Sequence, residues 1–473
     1  MVGARGCHRS RLRPIAPPRR DPTLNTRVAI VGAGVTGLVA ARELLRGGGF
    51  DVELFERWPD VGGQASAFDL GGGVRIERYY HHLFPSDREM IELHEELLPG
   101  DLEWHRSAVA IWRAGRQWPF GGPLDLLRYG PLSPPERMRL GLAVLRLQRR
   151  RDWQAMDDVP ALTWLRSACG DAGVERVWQP LLLGKFGADA DDVPLAWLWS
   201  KLVLRRRLAG KDLGGERLGY PRSSFQAICD ALRRDCVERG AVLHLDRQVQ
   251  RVDREGDEYV LRCGPPGAYR GVFDPAGAVV GPDPTADVVL FSTPADVTLR
   301  LAEWPPAFAA ALGEWRYRAA VVLLLELARP FAQAYWTNVA DRDVPFLGLI
   351  EHTNLVPAER YPARYLYVSH YVAAEDELLS IGTDELLRRS LPALMRMSPG
   401  FGEGGVLRRW SFREPAAQPI PRVGNRRRIL PFASPRPGLF IANTTQIYPE
   451  DRGTNYSVRL GRDVAVAIRS TAA

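Results

Sequence analysis

Residues 28–31, "VAIV", form an unbroken apolar run, and the chain then turns through three glycines into apolar positions at helical spacing. A short apolar run closed by a turn predicts a strand buried on both faces, and the spacing after it predicts an amphipathic helix. "DVELFE" (51–56) predicts a second strand. Phe225, Ile228, Ala231 and Leu232 share one face of a predicted helix. A strand at "GAVLHL" and a hairpin from "QVQRVDRE" to "EYVLRC" follow it. "ADVVLFSTP" (286–294), "AAVVLLLELA" (319–328) and "RYLYVSHYV" (364–372) predict further strands, whereas "RVWQPLLLGKFG" and "LAWLWSKLVLRRR" are helical in period. The stretch "GLFIANTTQIYPEDRGTNYSVRLGRDVAVAI" (438–468) predicts a strand, a loop and a helix. "GPPGAYRGVFDPAGAVVGPDPTAD" is rich in Gly and Pro and predicts a surface excursion.

Length changes this picture: 473 residues exceed one ordinary core, so two or three structural domains are expected. An apolar share of 45% and a charged share of 25% are those of a soluble globular protein. The net charge is +7, but residues 1–26 hold six arginines against Asp21, which leaves the body close to neutral. A nucleic-acid partner, which needs a clustered basic face, is therefore not expected. All but three of the 63 basic residues are arginine, a coding bias rather than a functional signal. The first stretch has no apolar centre and does not read as a secretory signal. A basic, disordered tail over 1–25 is expected, with a transit peptide or a misplaced start as alternatives. Five cysteines without a CxxC pair fit a reducing, cytoplasmic location. The longest apolar run, "AAVVLLL" (319–325), falls far short of the ~20 residues of a membrane span. Peripheral membrane contact stays open, because "RMRLGLAVLRLQRRR" (137–151) has the pattern of a basic amphipathic helix. A helix packed on its own domain with a solvated basic face has the same pattern.

The first turn carries chemistry. It reads Gly32-x-Gly34-x-x-Gly37 between strand and helix. Gly32 permits the tight turn, Gly34 lets a pyrophosphate approach the backbone, and Gly37 lets the helix pack on the strand. The helix N-terminus offers free N–H groups to that phosphate. Glu56 ends the second strand 19 residues after Gly37, where a carboxylate accepts hydrogen bonds from a ribose diol. "RWPDVGGQAS" then supplies a second glycine pair, Gly62 and Gly63.

Together these residues resemble the FAD-binding fingerprint of the amine oxidase, protoporphyrinogen oxidase and phytoene desaturase superfamily. Gln64 stands where that pattern usually has arginine, and Asn443, Thr444, Tyr456 and Ser457 stand in variant form at the closing strand–loop–helix motif. The resemblance implies an α/β fold: a Rossmann-like FAD-binding domain of glutathione-reductase type, amine oxidase subgroup, interleaved with an α+β substrate domain. The first would comprise 26–95, 215–300 and 421–473, and the second 96–214 and 301–420. No internal repeat and no second GxGxxG is found. FAD is the implied cofactor. Its implied ligands are Gly32, Gly34, Val35, Thr36 and Gly37, then Glu56, Arg57, Gly62, Gly63 and Gln64. Val249 against the adenine, and Asn443, Thr444, Arg452, Asn455, Tyr456 and Ser457, complete the set.

"ERYYHHLF" (77–84) stands where that superfamily meets the flavin ring. The resemblance thus makes Tyr80, His81 and His82 catalytic candidates, with Tyr79 beside them; an aromatic packing cluster is the alternative. No metal is expected, since zinc needs three or four ligands and no partner cluster has the spacing. Lys185 is a weaker candidate for holding a water near the flavin, with a structural or substrate-carboxylate role as the alternative; Glu351, His352 and His370 are candidate acid–base groups, each read first as a strand residue with a local hydrogen bond. Trp104, Trp112, Trp118, Trp197, Trp199, Trp315 and Trp336 could line a pocket or fill a core.

The resemblance implies an FAD-dependent oxidoreductase that removes a hydride from a bulky, apolar or amphipathic small molecule at a C–N or C–C bond. Two alternatives stay open. One is a non-redox flavoenzyme resembling UDP-galactopyranose mutase. The other is a non-catalytic prenyl-binding protein of the same fold, like the Rab escort proteins and GDP-dissociation inhibitors.

Overall fold

The computed structural model describes residues 25–208, 216–264 and 283–472. The predicted tail and most of the Gly/Pro-rich excursion lie outside them. Strands Thr26–Val31, Phe50–Phe55, Val242–His244, Val288–Phe291 and Leu439–Ile441 form one parallel sheet. Thr26–Val31 is its centre, flanked by Phe50–Phe55 and Val288–Phe291. Alternate side chains of this strand enter different cores. Val28 and Ile30 pack with the helices Val35–Gly47, Phe225–Glu238 and Thr454–Ala472. Ala29 and Val31 pack with a three-stranded antiparallel sheet and with Trp304 and Phe308. Burial on both faces is the physical reason for the unbroken apolar run. The second core continues through Phe308, Leu312 and Trp315, so packing of this first unit runs past residue 300.

A seven-stranded mixed sheet makes the second unit, in the order 406–419, 317–327, 364–372, 348–351, 336–339, 109–113, 116–119. The strand Tyr317–Leu327 again splits by alternation. Val321, Leu323 and Leu325 pack under the helix Thr383–Met397, while Val322 and Leu324 face the first unit. Helices Pro134–Arg149, Ala161–Gly173, Gln179–Phe186 and Leu195–Leu208 build a separate core around Leu140, Leu162, Phe186 and Trp197. The piece 95–215 also holds the short strands Leu102–Ser107, Val109–Arg113 and Arg116–Pro119, which its helical pattern does not signal. Most of their residues are half-buried, so apolar alternation is weak there. Among the described residues, no helix is long and apolar enough to cross a membrane.

Candidate active site

All five strands of the parallel sheet run the same way, so their carboxyl ends share one edge. A cavity of about 1000 Å³ opens along that edge. Residues that follow those strand ends line it, among them Gly32, Glu56, Ser292 and Asn443, and Val249 joins them from the antiparallel strand Gln248–Glu255. Ligands of open α/β sheets bind in this place because loops diverge there and helix N-termini point in.

Two backbone segments touch at the floor. Gly34 lies against Gly63, where an added Cβ would stand 3.3 Å from the Gly34 Cα. The Gly62 N–H donates to the Ala33 carbonyl at 2.9 Å. Gly32 adopts φ +103°, in the left-handed half of backbone space that favours glycine. Gly37 does not line the cavity: an added Cβ would sit 2.1 Å from the Gly32 carbonyl oxygen, so this glycine serves helix–strand packing alone. Val35 and Thr36 face the space directly. The buried Glu56 carboxylate accepts from the Ala33 N–H (2.9 Å) and the Trp58 N–H (3.1 Å), tying the glycine turn to the second strand. Burial raises its pKa, against the pull of those N–H groups and of Arg57.

Gln64 lines the cavity and donates to the Ala416 carbonyl (3.2 Å), bridging to the long strand of the second sheet. Arg57, Val249, Asn443, Thr444, Arg452 and Ser457 line it too. Asn443 Oδ1 accepts from the Thr445 N–H and hydroxyl, while its buried amide Nδ2 has no partner among the described residues. Arg452 donates to the Tyr371 hydroxyl at 2.5 Å and to Gln418 at 3.3 Å.

The helix Thr454–Ala472 presents Thr454 and Ser457 to the cavity, three residues apart on one face. Asn455 and Tyr456 therefore point elsewhere, contrary to the expectation. Asn455 accepts from the Met90 N–H (3.2 Å), and Tyr456 packs with Ile447 and Leu460.

The Tyr–Tyr–His–His run divides in the same manner. This stretch follows the strand Arg75–Glu77 without regular structure of its own, and its side chains are sorted by what packs on them. Tyr79 and His81 line the cavity; Tyr80 and His82 do not. Tyr80 bonds Ser369 (3.2 Å) and packs edge-on against Trp336 and Tyr367. His82 bonds the Tyr335 hydroxyl (3.0 Å) between Phe84 and Trp336. As direct cavity groups, Tyr80 and His82 are thus corrected to packing residues. His81 Nδ1 lies 2.5 Å from the Tyr79 carbonyl oxygen. A carbonyl only accepts, so the ring proton belongs on Nδ1 and Nε2 keeps its lone pair. Burial lowers the pKa of His81 to about 4, leaving the ring neutral at pH 7.

Other candidates fall outside the cavity. Glu351 accepts from the Phe331 and Ala332 N–H groups, His352 bonds Tyr361 (2.7 Å) and His370 bonds the Val321 carbonyl (3.1 Å). Lys185 pairs with Asp451, the neighbour of Arg452. None of the seven tryptophans lines the cavity. Among the described residues, no three His, Cys, Asp or Glu side chains gather to hold a metal.

The strand Val406–Pro419 supplies a wall that sequence reasoning missed: Ser411, Phe412, Arg413 and Glu414. Burial raises the pKa of Glu414 and lowers that of Arg413. Arg413 donates to the Leu378 and Ile381 carbonyls and to Ser411, and has no carboxylate partner among the described residues. Arg78 and Phe68 stand on the same wall, with the Phe68 and Phe412 rings 5.1 Å apart. Nothing local in "WSFRE" separates it from an ordinary strand, so no sequence signal marked it.

Comparison with known proteins places this geometry. Residues 35–468 match the family described as flavin containing amine oxidoreductase. The chain belongs to that family. It is similar to a protein assigned as a zeta-carotene desaturase from Synechococcus elongatus, 24% identical over 291 residues, 52% of this chain and 60% of that protein. The coproporphyrinogen III oxidase of Staphylococcus aureus is 23% identical over 267 residues, 50% of this chain and 56% of that one. The chain thus spans between half and three fifths of the length of these curated relatives. Among solved structures, a protein assigned as a protoporphyrinogen oxidase from Exiguobacterium sp. 255-15 superposes with TM-score 0.74 at 20% identity, over 94% of this chain and 99% of that one. Cyclohexylamine oxidase from Brevibacterium oxydans gives 0.69 at 16%, over 94% and 99%. Reduced UDP-galactopyranose mutase gives 0.70 at 15%, over 94% of each. At these identities the structural likeness is one of fold.

Membership of the flavin amine oxidoreductases implies a flavin, and the cavity suits one. The facing glycines leave backbone open to a phosphate. Glu56 is a buried acceptor beside that turn, and Asn443 holds a spare donor.

Proposed function

We propose that the chain is an FAD-dependent oxidoreductase acting on a bulky, apolar or amphipathic small molecule at a C–N or C–C bond. One observation carries the reading: a single cavity joins a dinucleotide-type cradle at the parallel sheet to an aromatic and charged wall on the second sheet. Bound FAD would supply the two-electron acceptor. Glu56 accepts ribose hydroxyls in this reading, and Gly34 and Gly63 admit the pyrophosphate. Asn443, Thr444 and the N-terminus of the helix Thr454–Ala472 meet the electron-rich end, where N–H dipoles favour negative charge. Phe68, Tyr79 and Phe412 bound the substrate space. His81, neutral with Nε2 as acceptor, orients a donor group rather than carrying charge.

A second reading draws on the cavity arginines. Arg78 and Arg413 line it without a carboxylate partner among the described residues, as a site for a sugar diphosphate would require. One experiment separates the two. The purified protein's flavin is released and identified by chromatography, and the holoprotein is mixed anaerobically with candidate amines, polyenes and porphyrinogens. Bleaching of the flavin absorbance by substrate is the expected outcome. Turnover of a nucleotide sugar only after dithionite reduction would favour the second reading, and a protein that takes up no flavin would sink both.

A further inference from the structure

The helix Pro134–Arg149 has two apolar stripes. Leu140, Ala143 and Leu147 are buried in the helical core. Met138, Leu142 and Leu145, spaced i, i+4, i+7 on the other face, are 67%, 57% and 48% exposed. The short helix Pro123–Arg128 packs beside it and adds Leu124 and Leu127, 67% and 61% exposed. Arg137 ties the two helices by donating to the Leu127 and Leu132 carbonyls. Five large apolar side chains at these exposures, gathered on two adjoining helices, are not the scattered singles of an ordinary surface.

Charge surrounds them. Arg128, Arg139, Arg146, Arg149 and Arg151 are exposed and pair with no carboxylate among the described residues. The acids in reach are otherwise engaged: Asp125 accepts from the Gly121 and Gly122 N–H groups, and Glu136 from Ser133 and Arg176. An apolar stripe rimmed by unpaired cations matches one surface chemistry. Leucines enter the boundary between headgroups and acyl chains, while guanidinium groups reach lipid phosphates.

We propose that the face formed by Pro123–Arg128 and Pro134–Arg149 docks on an anionic phospholipid bilayer, holding the protein as a peripheral membrane protein. Docking of this kind is independent of the flavin reading, because none of these residues lines the cavity.

The test uses the full chain and sedimentable vesicles. With equal parts phosphatidylglycerol and phosphatidylcholine, the wild type is expected to sediment, and with phosphatidylcholine alone to stay largely in solution. The double variant Leu142→Glu/Leu145→Glu should lose more than about tenfold of the binding, with melting temperature and elution volume unchanged. Arg146→Gln/Arg149→Gln should weaken it by roughly fivefold per arginine and flatten its salt dependence. Absence of binding to the anionic vesicles, or binding that both variants retain, would overturn the proposal. A wild-type dimer that Leu142→Glu/Leu145→Glu converts to monomer would also overturn it, assigning the face to a second copy.

Discussion

At the residue scale, packing separates neighbours that look equivalent in sequence. His81 and His82 are adjacent, yet one lines the cavity and the other bonds Tyr335 in the packed interior. His81→Asn is therefore expected to change the rate of substrate-driven flavin reduction while flavin stays bound, measured by anaerobic stopped-flow absorbance. His82→Asn should instead lower thermal stability with a smaller effect on that rate. His352 offers a pH test away from the cavity. Burial, with His105 nearby, lowers its pKa from 6.5 to about 3. Between those values the unfolded chain binds a proton that the folded protein refuses, so this group's contribution to stability falls as pH drops below 6.5. In His352→Gln that loss is absent. Its stability deficit against the wild type should shrink by about 2 kcal/mol from pH 7 to pH 5 in urea titrations.

At the element scale, the cavity depends on how closely two helices approach. Val35–Gly47 and Thr454–Ala472 meet at Gly461, where an added Cβ would stand 2.7 Å from both the Thr36 carbonyl oxygen and the Val39 Cβ. The Thr36 hydroxyl donates to the Ser457 carbonyl across the same contact (3.2 Å), and both residues line the cavity. Gly461→Ala must push the helices apart. It is expected to cost about 1–3 kcal/mol by overpacking and to lower flavin retention. Thermal denaturation with flavin quantitation of the same sample checks both. Strand Val406–Pro419 shows the reverse dependence: its pattern predicts no site, and pairing beside Tyr317–Leu327 carries Phe412, Arg413 and Glu414 to the cavity wall.

At the scale of the whole molecule, Asp451 joins the pieces. Its carboxylate meets Lys185 and Lys201 from two helices of the second unit and accepts from Gln418 on the long strand (3.0 Å), one residue before Arg452 at the cavity. Burial alone would raise its pKa, but Lys185, Lys201 and Arg452 outweigh that and hold it well below the usual carboxylate range. This stabilisation is present above the ordinary aspartate pKa and is lost as pH falls through the lower folded value. Asp451→Asn leaves two lysines without their carboxylate. It should cost about 3–5 kcal/mol, read as a lowered unfolding midpoint, and disturb Arg452. Much of this protein was legible from local pattern. The glycine turn, the run of central strands, the closing strand and helix, and Glu56 all announce themselves because turn chemistry and burial on both faces act over a few residues. The wall at 411–414, the turning-away of Asn455 and Tyr456, and the parting of Tyr79 and His81 from Tyr80 and His82 left no such mark. They follow from which face of each strand or helix meets a partner distant in the chain, and only tertiary packing sets that.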